Sequence, residues 1–243
     1  MSHNFKGVKE FISEFKEPFD YKKRAKDRLR DNGERATKDA IDAEILILKK
    51  EYNDAMQRGE FLHDIIKNRK AKIKSCVVEG RDTNSNSNNN NVSSFDPSIN
   101  ILKNNTTYLE KKIISNKYKL IGYADEVSVV RNFINIEDPK STKRIYRNSS
   151  IRLKNGFVLP PKYFYPPIDK LQDCNYYEAA LQMSLYMYLL WLHNKNLKPG
   201  KLHIRHIVTN DKNDILGEEL IEVPYLLSEV KSMLKHRLKN GIN

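Results

Sequence analysis

Cysteine is nearly missing from this chain. Cys76 and Cys174 are the only two among 243 residues, too few for a disulfide framework or a four-thiolate iron–sulfur cluster. Such scarcity suits a reducing, cytoplasmic compartment. Long hydrophobic runs are missing too. The greasiest stretch, residues 181–192, is interrupted by Gln182 and Ser184 and falls short of the roughly 20 residues that span a bilayer. The first eleven residues are polar and lack the apolar segment of a secretory signal. No membrane partner is therefore expected. None of the nine glycines opens a GxxxxGK phosphate loop, and there is no HExxH zinc motif. His203 and His206 fall on an expected strand three residues apart, so they point to opposite faces and are poorly placed to share a metal.

Basic residues are in surplus. Lys and Arg total 43 against 31 Asp and Glu, a formal charge of +12. That excess points to a polyanion such as nucleic acid without saying which one. With 39% hydrophobic residues the chain can bury a core, and its length suits one domain.

Residues 1–80 read as helical. Phe5, Val8, Phe11, Ile12 and Phe15 recur at helical spacing, Pro18 interrupts, and Asp20 can cap the next helix. Residues 38–73 are periodic again, with Gly59 marking a break or a close approach. Residues 82–107 are Asn-rich and polar and have almost nothing to bury, which predicts a mobile surface insertion with Phe95 and residues 99–102 as a weak anchor. Strands are expected over 109–114, 120–130 and 133–137, with another short one within 148–158. A Pro-rich connection, a strong helix over 176–192, a strand over 202–209 and a closing helix over 223–238 follow. The fold class is α/β: a small mixed sheet flanked by helices, with a helical lead over residues 1–58 and a core over 59–243.

Chemistry concentrates in acidic residues at strand ends. Asp125 ends Gly122-Tyr123-Ala124-Asp125, and thirteen residues later Asp138-Pro139-Lys140 follows an apolar strand. Two carboxylates on neighbouring strand ends can share a divalent cation, and oxygen ligands are what Mg²⁺ and Mn²⁺ prefer. Lys140, two residues beyond Asp138, points to the same side of an extended chain. Its ammonium can orient water or steady charge on a phosphate. Pro139 removes a backbone donor, which suits an edge strand or a bulge. A lone D-x-K triplet is more often an ordinary surface ion pair. On the strong helix, however, Glu178, Gln182 and Tyr186 form one polar stripe between apolar neighbours, and a stripe of that kind needs something polar to face. His63, four residues after Gly59, can reach a metal or a phosphate. Phe11, Phe15, Phe19 and Tyr21 either stack on bases or pack in a core.

In order along the chain, Gly59 to His63, Gly122 to Asp125, Asp138 to Lys140 and Gln182 to Tyr186 resemble the G-x-x-x-H, G-x-x-D, D/E-x-K and Q-x-x-x-Y series of the RecB-like branch of the PD-(D/E)XK nucleases. The segments Val8-Lys9-Glu10-Phe11-Ile12, Pro18-Phe19-Asp20 and Asp173-Cys174-Asn175-Tyr176-Tyr177 look like those of phage-type and mitochondrial-type exonucleases of that branch. The resemblance implies a restriction-endonuclease-like core. It implies a Mg²⁺- or Mn²⁺-dependent nuclease, an exonuclease acting on single-stranded DNA or duplex ends in recombination, repair or replication. Asp125 and Asp138 would be metal ligands, with the Pro139 carbonyl and His63 as further ones. Lys140 would position the attacking water, and Gln182 and Tyr186 would orient the site or contact DNA phosphate. Glu110 and Glu137 are nearby acids that could join. Two cysteines exclude the iron–sulfur relatives, and no helicase machinery is present. The composition fits a phage, working in the host cytoplasm beside recombination or replication proteins. Two other readings stand beside this one: a catalytically silent nuclease-fold protein that binds nucleic acid or serves phage assembly, and a basic helical scaffold in which the motifs are coincidence.

Overall fold

The computed structural model describes residues 5–70, 76–78, 97–142, 144–152, 158–210 and 215–241. A two-residue strand β1 (Lys6–Gly7) leads into helix α1 (Val8–Ser13), followed by α2 (Tyr21–Asp31) and α3 (Lys38–Lys70). Strand β2 (Cys76–Val78) and a 3-10 turn over Pro97–Asn100 precede three longer strands, β3 (Thr106–Ser115), β4 (Leu120–Val130) and β5 (Phe133–Lys140). A ribbon of β6 (Ile151–Arg152) and β7 (Val158–Leu159) comes next. Helix α4 (Asn175–His193), the hairpin β8 (Lys198–Thr209) and β9 (Ile215–Val223), and helix α5 (Leu227–Lys239) complete the chain.

The architecture is α/β. The main sheet runs β2-β3-β4-β5-β8-β9, with β1 beside the far end of β4. It is mixed: β2–β3 and β5–β8 are parallel, whereas β3–β4, β4–β5 and β8–β9 are antiparallel. Residues 1–16 and 67–243 form one compact unit and residues 17–66 a second; the lead anticipated over 1–58 spans parts of both.

Helix α4 organises the first unit. Ala179, Ala180, Leu181, Met183, Leu185, Met187, Leu189 and Leu190 are all buried, so the helix is apolar nearly all round, as a helix inside a core must be. It packs on β3, β4, β5 and β8 and between α1 and α5. Of the series Phe5, Val8, Phe11, Ile12 and Phe15, the middle three lie on helix α1, whereas Phe5 precedes strand β1 and Phe15 follows the helix end; Val8, Phe11, Ile12 and Phe15 are buried. These side chains join the same core, with Phe11 and Phe15 edge to face at 5.4 Å.

The structure departs from the sequence reading at several points. Helix α3 runs through Gly59 without a break; one interior glycine costs about 1 kcal/mol, which a long helix tolerates. The last part of the anticipated insertion, residues 97–107, is built into the fold. Asn100 is fully buried; its Nδ2 donates to the Ile114 carbonyl at 2.7 Å, and its own carbonyl accepts from Asn194 at 2.8 Å. Residues 82–96 lie outside the described residues. Strand β9 was not anticipated, because Leu216 and Leu220 are exposed and three acids interrupt any alternation. The closing helix starts at Leu227 rather than 223, since Val223 ends a strand and Pro224 follows it.

Candidate active site

Strand β5 alternates regularly. Ile134, Ile136 and Asp138 are buried on the face that receives α4. Asp138, only 3% exposed, is therefore a carboxylate placed where the pattern calls for an apolar residue. Its neighbours on β4 and β3 reach the same row by breaking their alternation. On β4 the core residues Ala124 and Val127 lie three apart, and on β3 Tyr108 and Ile113 lie five apart. An odd spacing means that each strand flips its faces once in between. On β3 the flip coincides with Glu110, whose φ of +55° lies in the left-handed region that non-glycine residues avoid. Register is unchanged across it: Leu109 pairs with Glu126 and Lys111 with Ala124, which leaves Glu110 opposite Asp125. On the other side Glu126 pairs with Glu137, where that ladder ends, and the next residues, Asp125 and Asp138, share a side-chain hydrogen bond. Three acids from three adjacent strands thus form one cross-strand row. Carboxylate oxygens of Glu110 and Asp125 lie within 4.8 Å of each other.

Asp138 is the member of the row whose electrostatics are most disturbed. Lys140 Nζ lies 2.7 Å from Asp138 Oδ2. Burial nevertheless pushes the Asp138 carboxyl up to about 6; Lys140 opposes the shift, while the charge of Asp125 and a hydrogen bond shared with it add to it. A hydrogen bond between two carboxyls needs a proton on one of them, so the pair favours holding a proton in the absence of another cation. Burial pulls Lys140 down, but Asp138, Asp125 and Glu178 outweigh it and the ammonium is held above its ordinary value.

The polar stripe of α4 faces this region. Glu178 pairs with Lys16 at 2.9 Å and its charge supports Lys140. Gln182 and Tyr186 are buried, and Gln182 Nε2 donates to Tyr186 Oη at 3.4 Å. The Tyr186 ring fills the space above Gly122: a Cβ there would stand 2.6 Å from Tyr186 Cε1. Gly122 thus admits the tyrosine three residues ahead of Asp125, which explains physically why a glycine and an aromatic stand at those two places.

The remaining anticipated residues divide sharply. Glu137 points to the other face of β5 and is held by Arg205, which also donates to Glu218 at 2.7 Å. Pro139 is not on an edge strand, since β5 lies between β4 and β8. The β4 ladder ends at Glu137, however, so Pro139 has a partner strand on one side only, where it pairs with Arg205. His63 is half-buried on α3, within the unit 17–66. Phe11 and Phe15 are core, which removes them as stacking candidates, whereas Phe19 is 65% exposed. His206 is buried, its Nε2 2.7 Å from the Thr142 carbonyl. Lys111 drew no attention in the sequence, yet it is buried with its ammonium 4.7 Å from the Tyr108 ring centroid.

No family model matches the chain, and no curated protein matches its sequence. Among the described residues no helix is long and apolar enough to cross a membrane. The carboxylates of Glu110 and Asp125, with Asp138 beside Asp125, offer hard oxygens. They fit Mg²⁺ or Mn²⁺ and do not fit a thiophilic metal.

Proposed function

We propose that the protein is a divalent-metal-dependent DNA nuclease of the RecB-like PD-(D/E)XK type, built on a restriction-endonuclease-like core and acting as an exonuclease in recombination, repair or replication. The observation that carries this reading is the row Glu110–Asp125–Asp138 with Lys140 at 2.7 Å from Asp138. Glu110, Asp125 and Asp138 would hold Mg²⁺ or Mn²⁺. His63 and the Pro139 carbonyl enter as further ligands through the sequence resemblance. The ion supplies Lewis acidity and a more acidic water when bound.

The chain's own residues account for the rest. In hydrolysis a water oxygen bonds to phosphorus while the bond to the leaving ester oxygen breaks. Lys140, kept protonated by the acids around it, acts as a hydrogen-bond donor and positive charge rather than as a base. It positions the water and offsets charge building on the phosphoryl oxygens. Gln182 and Tyr186, buried and bonded to each other, hold the wall of the site and orient the DNA phosphate. The surplus of +12 attracts the DNA backbone.

A cleavage assay on single-stranded and duplex DNA with Mg²⁺ or Mn²⁺ tests this reading. Asp138→Ala and Lys140→Ala should each abolish activity, and undiminished activity in both would sink the assignment. Tight DNA binding with no cleavage under any divalent ion would instead favour a catalytically silent protein on the same fold.

A further inference from the structure

The charge of the second unit is unevenly shared. Residues 17–66 hold 11 Lys and Arg against 12 Asp and Glu, leaving 32 against 19 for the rest of the chain. Within that near-neutral unit the two helices have opposite signs. Helix α2 carries six cations and two acids, whereas residues 38–66 of α3 carry four cations and seven acids.

Helix α2 buries only Ala25 and Leu29, and this turns its cations outward. Lys22, Lys26 and Arg30 follow one another at i, i+4 and i+8, with Lys23 beside them, and all four are exposed. Some are engaged: Lys23 lies 3.5 Å from Glu17, and Arg30 is 2.9 Å from Asp27. Among the described residues, Lys22 and Lys26 have no acidic partner. Their Cα atoms are about 6 Å apart along the helix axis. Just before the helix, Phe19 is 65% exposed and held edge to face against Tyr21 at 4.7 Å. An exposed phenyl ring contributes little to a core, yet this one packs on Tyr21 just ahead of the helix that carries Lys22 and Lys26.

We propose that Phe19, Lys22 and Lys26 form a docking surface for single-stranded nucleic acid, with phosphates along the lysines and one base stacked on Phe19. Cations alone would serve any polyanion. The exposed ring selects a strand whose base faces are free, because a duplex keeps those faces in its own stack. The surface uses none of the acids or the lysine assigned to cleavage, so it is tested with cleavage switched off.

The experiment is fluorescence anisotropy of the full chain in chelator, with a labelled ~20-nucleotide oligothymidine and a blunt duplex of the same length at ~0.1 M salt. Phe19→Ala should weaken oligothymidine binding about tenfold and duplex binding less than about twofold, while Phe19→Trp keeps the affinity. Lys22→Ala with Lys26→Ala should lower affinity about tenfold or more and flatten the slope of log affinity against log salt by roughly 1.4, about 0.7 for each phosphate no longer neutralised. Lys231→Ala with Lys235→Ala, two exposed cations on α5, serves as the control for bulk charge. The proposal is overturned if Phe19→Ala and the Lys22, Lys26 pair bind as the parent does, if the α5 pair loses as much affinity, or if Phe19→Ala weakens duplex binding equally. A failed nuclease reading would look different: this binding intact, with no metal-dependent cleavage.

Discussion

Glu137 and Asp138 are neighbours on one strand and live in opposite electrostatic worlds. Glu137 points to the face where Arg205 grips it through two nitrogens and reaches Glu218 with a third. The Arg205 guanidinium is held more firmly protonated by the hydrogen bonds it donates to Glu137 and Glu218, against the opposing effect of burial. Asp138 points to the α4 face, where burial and Asp125 push its carboxyl up to about 6 although Lys140 lies beside it. The first cluster is satisfied by the protein itself. In the second, burial and a neighbouring carboxylate outweigh the lysine beside Asp138. Acid next to base therefore does not by itself mark a site; a buried carboxyl perturbed by a second acid is the stronger sign.

The strongest way to break this contrast is to truncate both faces. Asp138→Ala or Lys140→Ala should lower metal-dependent cleavage by about a thousandfold or more. Arg205→Ala should leave the rate within about threefold but cost roughly 2 kcal/mol in urea denaturation, because it leaves partly buried carboxylates without their hydrogen bonds. An equal loss of activity from both faces would erase the distinction.

Glu110 sharpens it further. Its left-handed backbone costs on the order of 1 kcal/mol, a conformation kept only where something else requires it. Glu110→Gly should weaken Mn²⁺ binding by about ten- to a hundredfold in calorimetry while leaving stability equal or higher by up to about 1 kcal/mol. Loss of stability without loss of metal affinity would make Glu110 merely structural.

Gly122 tests the wall of the site. A Cβ there meets Tyr186 Cε1 at 2.6 Å, so Gly122→Ala should cost about 1–3 kcal/mol. Tyr186→Leu opens that space, and the double variant should be more stable than the sum of the two single losses predicts. Strict additivity would show that the two residues do not meet.

The smallest effect is in pH. A carboxyl whose folded pKa lies near 6, above the roughly 4 of an unfolded chain, binds its proton more tightly when folded. Its contribution therefore favours the fold below about pH 4 and is lost as pH rises from there through about 6. Thermal scans of the metal-free protein should show that decline, and Asp138→Asn should flatten it. At Glu137 the corresponding amide substitution, Glu137→Gln, should leave the decline in place.

Much of this was legible in order and spacing. Asp138 and Lys140 close β5 as the sequence suggests, whereas Asp125, expected at a strand end, lies midway along β4; the stripe Glu178, Gln182, Tyr186 betrayed a polar neighbour because helical spacing aligns those residues on one side. Glu110 and Glu137 could not be told apart. Both are acids within β runs, and alternation counted along either strand assigns a face only while the strand keeps its phase. Strand β3 flips at Glu110 and β5 does not, which depends on one backbone torsion that no residue pattern announces. Gly59, read as a break or a close approach, does not break α3, since a long helix tolerates one interior glycine. Pro139 stands on an internal strand rather than an edge one, but beyond the end of the β4 ladder, so it has a partner strand on one side only.

Local chemistry along the chain was sufficient for the α/β class, the apolar central helix, the cysteine poverty and the choice of Asp125, Asp138 and Lys140, since each rests on composition, on spacing or on a period of 2 or 3.6 residues. Assembly in space was needed to bring Glu110 into the row, to turn Glu137 away from it, to set Tyr186 over Gly122, and to bury Phe11 and Phe15 while leaving Phe19 in solvent. Charge compensation and burial are properties of neighbours across strands and helices, and those neighbours exist only once the sheet has formed.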